Sequence, residues 1–141
     1  MLHLVHPALV HFTVAFLVAG ALLEAWGLLF RRPHAARWGG GLTTAGTIAI
    51  VPTIAAGYLA LNSLTVADDA HRLLDRHESL GLMLFGTALA LVLARAWMRG
   101  RVEGGARVPF ALGLLVLAGL AGYGAFCGGQ LVYVFGVGVA R

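Results

Sequence analysis

The sequence predicts an all-α membrane protein, a bundle of four transmembrane helices, and three observations lead to this fold class. Hydrophobic residues make up 60% of the 141 residues, charged residues only 11%, and the mean hydropathy is +0.87. A soluble domain of this size has too little interior to bury so much apolar surface. Four apolar stretches each reach the length of about 20 residues that a hydrocarbon core of about 30 Å requires. All ten basic residues are arginines, and most of them flank two short connections.

The elements follow from the apolar stretches in order. The predicted helices cover about residues 7–30, 39–61, 78–98 and 108–126 or longer. The first is expected to carry Pro7 in its opening turn, where a missing N–H costs little, and the second to begin at the Gly39-Gly40-Gly41 run. The charged segment before the third helix has the pattern of a short amphipathic helix or of an extension of that helix. The tail after the fourth helix is expected to lengthen it or to form an irregular cap. One domain is predicted over residues 1–141, with no internal repeat.

The arginines predict the orientation of the bundle. Seven flank the first and third connections: Arg31, Arg32, Arg37, Arg95, Arg99, Arg101 and Arg107. Only Arg72, Arg76 and Arg141 lie at the other end. Since positively charged loops stay in the cytoplasm, both termini are expected outside. The basic excess is therefore a topology signal, and no nucleic-acid partner is predicted.

Histidines are the candidate functional residues. Five of the six are expected near the outer face: His3, His6, His11, His71 and His77. Ionisable residues in membrane helices are usually functional, because hydrocarbon does not solvate them. His11 and His77 are expected to face each other at one depth, with the other three at a shallower level. No zinc-binding spacing is present, and the single cysteine, Cys127, excludes an intrachain disulfide or a cysteine cluster.

Histidines that converge from separate helices suit a haem b held by axial imidazoles, since a bundle supplies an apolar slot. The candidate ligands of the haem iron are His6, His11, His71 and His77, with room for one haem or two. Candidate supporting residues that orient the imidazoles are His3, Tyr58, Gln130 and Tyr133. The alternative is that the shallower histidines are solvated, and that Tyr58, Gln130 and Tyr133 are anchors at the membrane interface.

Glu24 is a carboxylate inside the first predicted helix. It is expected either to extend its carboxylate to the membrane surface or to pair with Arg31, Arg37 or Arg95, and a role in proton relay or beside a quinone is the alternative.

The opening LHLVHPALVHF, the histidine-bearing start of the third helix and the closing GGQLVYVFGVGV resemble a widespread bacterial family of small four-helix membrane proteins, a domain of unknown function. The resemblance covers nearly the whole chain and rests on HPxxVHF and GGxLVYxxGVGV. It matches family histidines to His6, His11 and His77, whereas Phe135 stands where the family often has histidine. Family members fused to Rieske-type or cytochrome-c-type domains imply electron transfer, in the bacterial inner membrane with the histidines on the periplasmic side.

The leading hypothesis is thus a membrane electron-transfer subunit with haem b near the outer face, a redox carrier rather than a stand-alone enzyme. Its partner would be a redox protein or a larger membrane complex. Two alternatives stay open: a membrane protein that binds copper or zinc through the same histidines, and a structural or assembly subunit without a cofactor. No nucleophile–base pair or phosphate loop indicates a hydrolase or kinase.

Overall fold

The computed structural model describes residues 2–61 and 68–137, with side chains from Val5 onward in the first range. Within these ranges the chain forms four long helices and one short 3-10 turn. The helices are α1 (Leu2–Leu29), α2 (Pro33–Leu61), α3 (His71–Trp97) and α4 (Arg107–Tyr133). Each is long and apolar enough to cross a membrane. The predicted fold class, a four-helix membrane protein, is confirmed.

The helices are longer than the apolar stretches that predicted them. Because α1 begins at Leu2, Pro7 lies inside the helix and not in its first turn. The second helix begins at Pro33 rather than at Gly39, with proline in the first helical position, where no intrahelical donor is needed. Hydropathy marks only the apolar part of a helix, whereas backbone hydrogen bonding continues into the polar ends.

Two open expectations about helix ends are decided by α3 and α4. The first residue of α3 is His71, so the charged segment from there onward is an extension of this helix. The fourth helix continues to Tyr133, and a turn follows in which the Val137 N–H bonds the Leu131 carbonyl at 2.9 Å. The tail therefore lengthens α4 as far as Tyr133 and then turns, and the rest of the expected cap lies outside the described residues.

The four helices are arranged so that sequence neighbours are spatial neighbours. α1 packs on α2 and α4, and α3 packs on α2 and α4. α1 and α3 are diagonal, with all their Cα atoms more than 8 Å apart within the described residues. Any contact between α1 and α3 must therefore be made by long side chains that reach across the centre.

The contact between α1 and α2 is the closest in the bundle. A Cβ added to Gly20 would lie 2.5 Å from the Thr43 nitrogen, and one added to Gly39 would overlap the backbone of Glu24. Small residues let two membrane helices approach until their backbones touch. In contrast, the only buried residues of α3 within the described chain are Leu80 and Ala88. The bundle is thus one tight hairpin, α1–α2, with a more exposed second hairpin, α3–α4.

Candidate functional site

Two imidazoles meet at the centre of the bundle, one from each diagonal helix. The rings of His6 on α1 and His77 on α3 have centroids 6.4 Å apart, and their planes are nearly perpendicular at 87°. Both side chains are half-buried. They bring α1 and α3 together near the beginning of each helix, where the backbones themselves do not touch.

Each of these rings is held by a backbone carbonyl of the adjoining helix. The His6 Nδ1 lies 2.8 Å from the Thr53 carbonyl oxygen on α2, and the His77 Nδ1 lies 3.1 Å from the Gly124 carbonyl oxygen on α4. A carbonyl oxygen only accepts, so each Nδ1 carries the proton and donates it. In a neutral imidazole the lone pair is then on Nε2. Neither Nε2 has a hydrogen-bond partner among the described residues, and in this tautomer it is the atom that can bind a metal or accept a further proton.

A glycine provides the space that each ring occupies. A Cβ added to Gly57 would lie 3.1 Å from Cε1 and Nδ1 of His6, and one added to Gly128 would lie 3.0 Å from Cε1 of His77. These separations are tighter than ordinary van der Waals contact. Glycine at both positions is therefore what lets the imidazoles come so close to α2 and α4.

The surroundings of the two histidines repeat each other. The accepting carbonyl follows its histidine by 47 residues in both cases, and each glycine, Gly57 or Gly128, follows at the same interval of 51 residues. The hairpins α1–α2 and α3–α4 are therefore approximate repeats, in contrast to the expectation of none. The sequence does not display this repeat because most equivalent positions differ, as Thr53 and Gly124 do.

His11 has a different environment from the one expected. Its side chain is exposed, and its Nδ1 lies 2.6 Å from the Pro7 carbonyl oxygen of the same helix. Five residues along an α-helix turn a side chain by about 140°, so His6 and His11 leave α1 in different directions. The ring opposite His77 is that of His6, which had been placed at a shallower level.

The other predicted site residues do not join this pair. His71 is exposed at the start of α3, and the side chain of His3 lies outside the described residues. Within the described chain, no hydrogen bond is made by the side chains of Tyr58, Gln130 and Tyr133, of which Tyr133 is 90% exposed. Phe135 is half-buried beyond the end of α4. The groups that orient the imidazoles are main-chain carbonyls, and since every residue has one, sequence patterns do not reveal them.

The described residues contain no cluster of three or more His, Cys, Asp or Glu side chains able to hold a metal ion. A zinc or copper ion bound by protein alone normally takes at least three such ligands. Among the described residues, the site formed by His6 and His77 therefore offers two imidazoles and no third ligand of this kind.

A buried ion pair lies near the other ends of α1 and α3. Both carboxylate oxygens of Glu24 lie 2.8 Å from Nη1 of Arg95, whose Nη2 donates to the hydroxyl of Thr44 at 2.6 Å. Glu24 is only 1% exposed. A buried carboxylate is tolerated when it is paired and hydrogen-bonded. One of the three expected pairings of Glu24, that with Arg95, is thus confirmed.

Comparison with known proteins identifies a family. A family model described as "Predicted membrane protein (DUF2231)" matches residues 2–141. No match was found among the curated proteins or among the solved structures. The opening and closing motifs indicated a family of membrane proteins of unknown function that matches nearly the whole chain. This family is confirmed.

Proposed function

We propose that this chain, which belongs to the DUF2231 family of predicted membrane proteins, is a membrane electron-transfer subunit that holds one haem b between His6 and His77. The observation that carries the proposal is the pair itself. Two imidazoles from diagonal helices face each other at 6.4 Å, and each is bonded through Nδ1 to a carbonyl.

The separation of the rings fits a single metal atom between them. A metal about 2.0 Å from one nitrogen of each imidazole holds the two ring centroids roughly 6 Å apart. The 6.4 Å between His6 and His77 is close to this value. The perpendicular planes are no obstacle, because two metal–nitrogen bonds impose no particular angle between the planes of the two rings.

The number of ligands favours a porphyrin over a bare ion. A porphyrin supplies four nitrogens of its own and needs two axial ligands, which are the two imidazoles present. A zinc or copper ion needs further protein ligands, and none accompanies His6 and His77 in the described chain. The proposal is limited to one haem because His11 and His71 are exposed and, among the described side chains, do not face another histidine.

The protein's own part is to hold and tune the two ligands. A hydrogen bond from Nδ1–H to a carbonyl fixes the tautomer and the ring plane and makes Nε2 a stronger ligand. The carbonyls of Thr53 and Gly124 do this for His6 and His77. A haem bound there supplies one-electron transfer, at a potential set by its axial ligands and its burial.

The arginine distribution gives the proposed orientation. Most of the arginines lie in or beside the two connections at the Glu24–Arg95 end, so in the proposal this end faces the cytoplasm and the histidine end faces the outer side of a bacterial inner membrane. A redox partner protein or a larger membrane complex would then exchange electrons at the outer face.

The test is a reduced-minus-oxidised optical spectrum, with a pyridine haemochrome assay, on protein purified in mild detergent from haem-replete cells. We expect a b-type α-band and about one haem per chain. A featureless spectrum from folded, haem-replete protein would refute the proposal. Elemental analysis of the same sample then separates the alternatives, because one copper or zinc per chain indicates an ion site.

The contact between the rings also supports a second candidate, a structural or assembly subunit. The edge-to-face geometry of His6 and His77, with one hydrogen bond from each ring, links all four helices without any cofactor. This candidate predicts neither haem nor metal in the purified protein, together with a loss of thermal stability in His6→Ala.

A further inference from the structure

We infer that the end of the bundle opposite His6 and His77 carries a binding site for a phosphate-bearing anion. A cavity of about 800 Å³ lies there, between the α1–α2 connection and the α3–α4 connection. This volume is within the range of about 300–1,000 Å³ that is typical of small-molecule sites.

Arginines from both connections and from the adjoining ends of α2, α3 and α4 line this cavity. They are Arg31, Arg37, Arg95, Arg101 and Arg107, and the acidic residues on the wall are Glu24 and Glu103. Five positive charges thus face two negative ones in one concave space. Guanidinium groups present planar pairs of N–H donors that match phosphate oxygens, so such a set selects phosphate groups over uncharged ligands.

Several of these guanidinium groups are free to bind a ligand. Arg95 is committed to Glu24, but the guanidinium groups of Arg31 and Arg101 have no hydrogen-bond or ion-pair partner within the described chain. Among the described residues, the guanidinium of Arg37 contacts only a ring nitrogen of His34, at 3.3 Å, and that of Arg107 donates only its Nε, at 3.4 Å, to the Val102 carbonyl. The ion pair therefore forms part of the cavity wall, while the other arginines have N–H groups available to donate to a ligand.

Membrane topology alone does not account for this arrangement. The positive-inside rule places arginines in the two connections, but it does not decide which of them share a cavity. Arg32 and Arg99 belong to the same connections, are exposed, and are not among the residues that line the cavity. They provide a matched control, since their removal changes the charge of the same connections without touching the cavity wall.

A phosphate group reaches this end from two sources. One is a soluble phosphate compound, and the other is the headgroup of an anionic phospholipid, which basic pockets between transmembrane helices also bind. The recognised chemistry is the same in both cases, so the test uses a probe for each source.

The experiment compares wild-type protein with two double variants, Arg31→Gln/Arg101→Gln at the cavity and Arg32→Gln/Arg99→Gln as the control. Binding of inorganic pyrophosphate is measured by titration calorimetry in non-ionic detergent. Binding of phosphatidylglycerol, with phosphatidylcholine as reference, is measured by native mass spectrometry. Since each lost charge-assisted hydrogen bond weakens binding several-fold or more, we expect the cavity variant to bind at least about tenfold more weakly than wild type. The control variant should remain within about twofold of wild type.

Both probes lead to a decision. Saturable pyrophosphate binding that depends on Arg31 and Arg101 supports a soluble ligand, and preference for phosphatidylglycerol with the same dependence supports a lipid headgroup. The inference is overturned if wild-type protein binds neither probe. It is also overturned if both double variants lose binding equally, because binding then depends on the overall positive charge of this end and not on the cavity. The wild-type measurement decides the first point whether or not a variant folds.

Discussion

Glu24 and Arg95, the partners of the buried ion pair, are 71 residues apart in the chain, and the same interval separates His6 from His77, the partners of the imidazole pair. Both pairs join α1 to α3 across the bundle, one near each end of the helices. α1–α2 and α3–α4 are therefore related by an approximate two-fold axis parallel to the helices. Near such an axis, a residue of one hairpin meets its own equivalent in the other.

This relationship explains why the two ends carry different chemistry. At one end, equivalent positions hold the same residue, since two imidazoles can be close neighbours without a buried charge. At the other end, identical ionised residues would place like charges together in a buried site, which is strongly unfavourable. Glutamate in one hairpin and arginine in the other replace that repulsion by an ion pair. Glu24 and Arg95 thus occupy equivalent positions in the two hairpins but carry opposite charges.

The first prediction separates His6 from His11. If the bound haem is held as proposed, His6→Ala and His77→Ala each remove one axial ligand, and we expect loss of haem or loss of the sharp b-type α-band. His11→Ala should retain both haem and spectrum, since that side chain is exposed and bonded within its own helix. Optical spectra and haem-to-protein ratios of the three variants give the answer. A His11→Ala protein that loses haem as His6→Ala does would show that the ligand set is wrong.

Much of the fold follows from the sequence, because apolar length is a direct measure of membrane spans. The sequence does not show, however, whether His6 or His11 lies opposite His77. In a membrane helix both the lipid-facing and the bundle-facing residues are apolar, so α1 has no polar face to show how it is rotated. The role of His77 and the pairing of Glu24 with Arg95 could nevertheless be predicted as candidates, since few ionisable residues occur in the apolar stretches.

The second prediction concerns the glycine beneath His77. In Gly128→Ala the new Cβ would lie 3.0 Å from Cε1 of the ring, so the imidazole must shift by a few tenths of an ångström. If haem is bound as proposed, we expect a shifted or broadened α-band and a changed midpoint potential, because the protein tunes both through the ligands of the iron. In the neighbouring variant Gly129→Ala the closest atom is a Tyr133 carbon at 4.0 Å, and the spectrum should not change. Equal behaviour of the two variants in spectroelectrochemical titration would contradict a ring seated on Gly128.

The third prediction tests the close approach of α1 and α2. In Gly39→Ala the Cβ would overlap the backbone of Glu24, and an overpacked interface typically loses about 1–3 kcal/mol. In Gly41→Ala the Cβ meets nothing within 4 Å, and the better helix propensity of alanine contributes up to about 1 kcal/mol in the other direction. Unfolding in detergent, followed by circular dichroism, should therefore rank Gly41→Ala at or above wild type and Gly39→Ala below it. The reverse order would mean that the two helices are not in backbone contact here.

The last prediction measures the buried ion pair by a double-mutant cycle. Arg95→Gln leaves the carboxylate of Glu24, only 1% exposed, without its cation, which typically costs about 3–5 kcal/mol. Glu24→Gln should cost less, because the Arg95 side chain is 16% exposed and lines a cavity. The double variant Glu24→Gln/Arg95→Gln removes both charges, so we expect it to be more stable than Arg95→Gln alone. Arg99 is exposed just after the end of α3. Arg99→Gln therefore serves as the control and should change the free energy of unfolding by less than about 1 kcal/mol. If the effects of the two single substitutions simply add in the double variant, Glu24 and Arg95 do not stabilise each other across the axis.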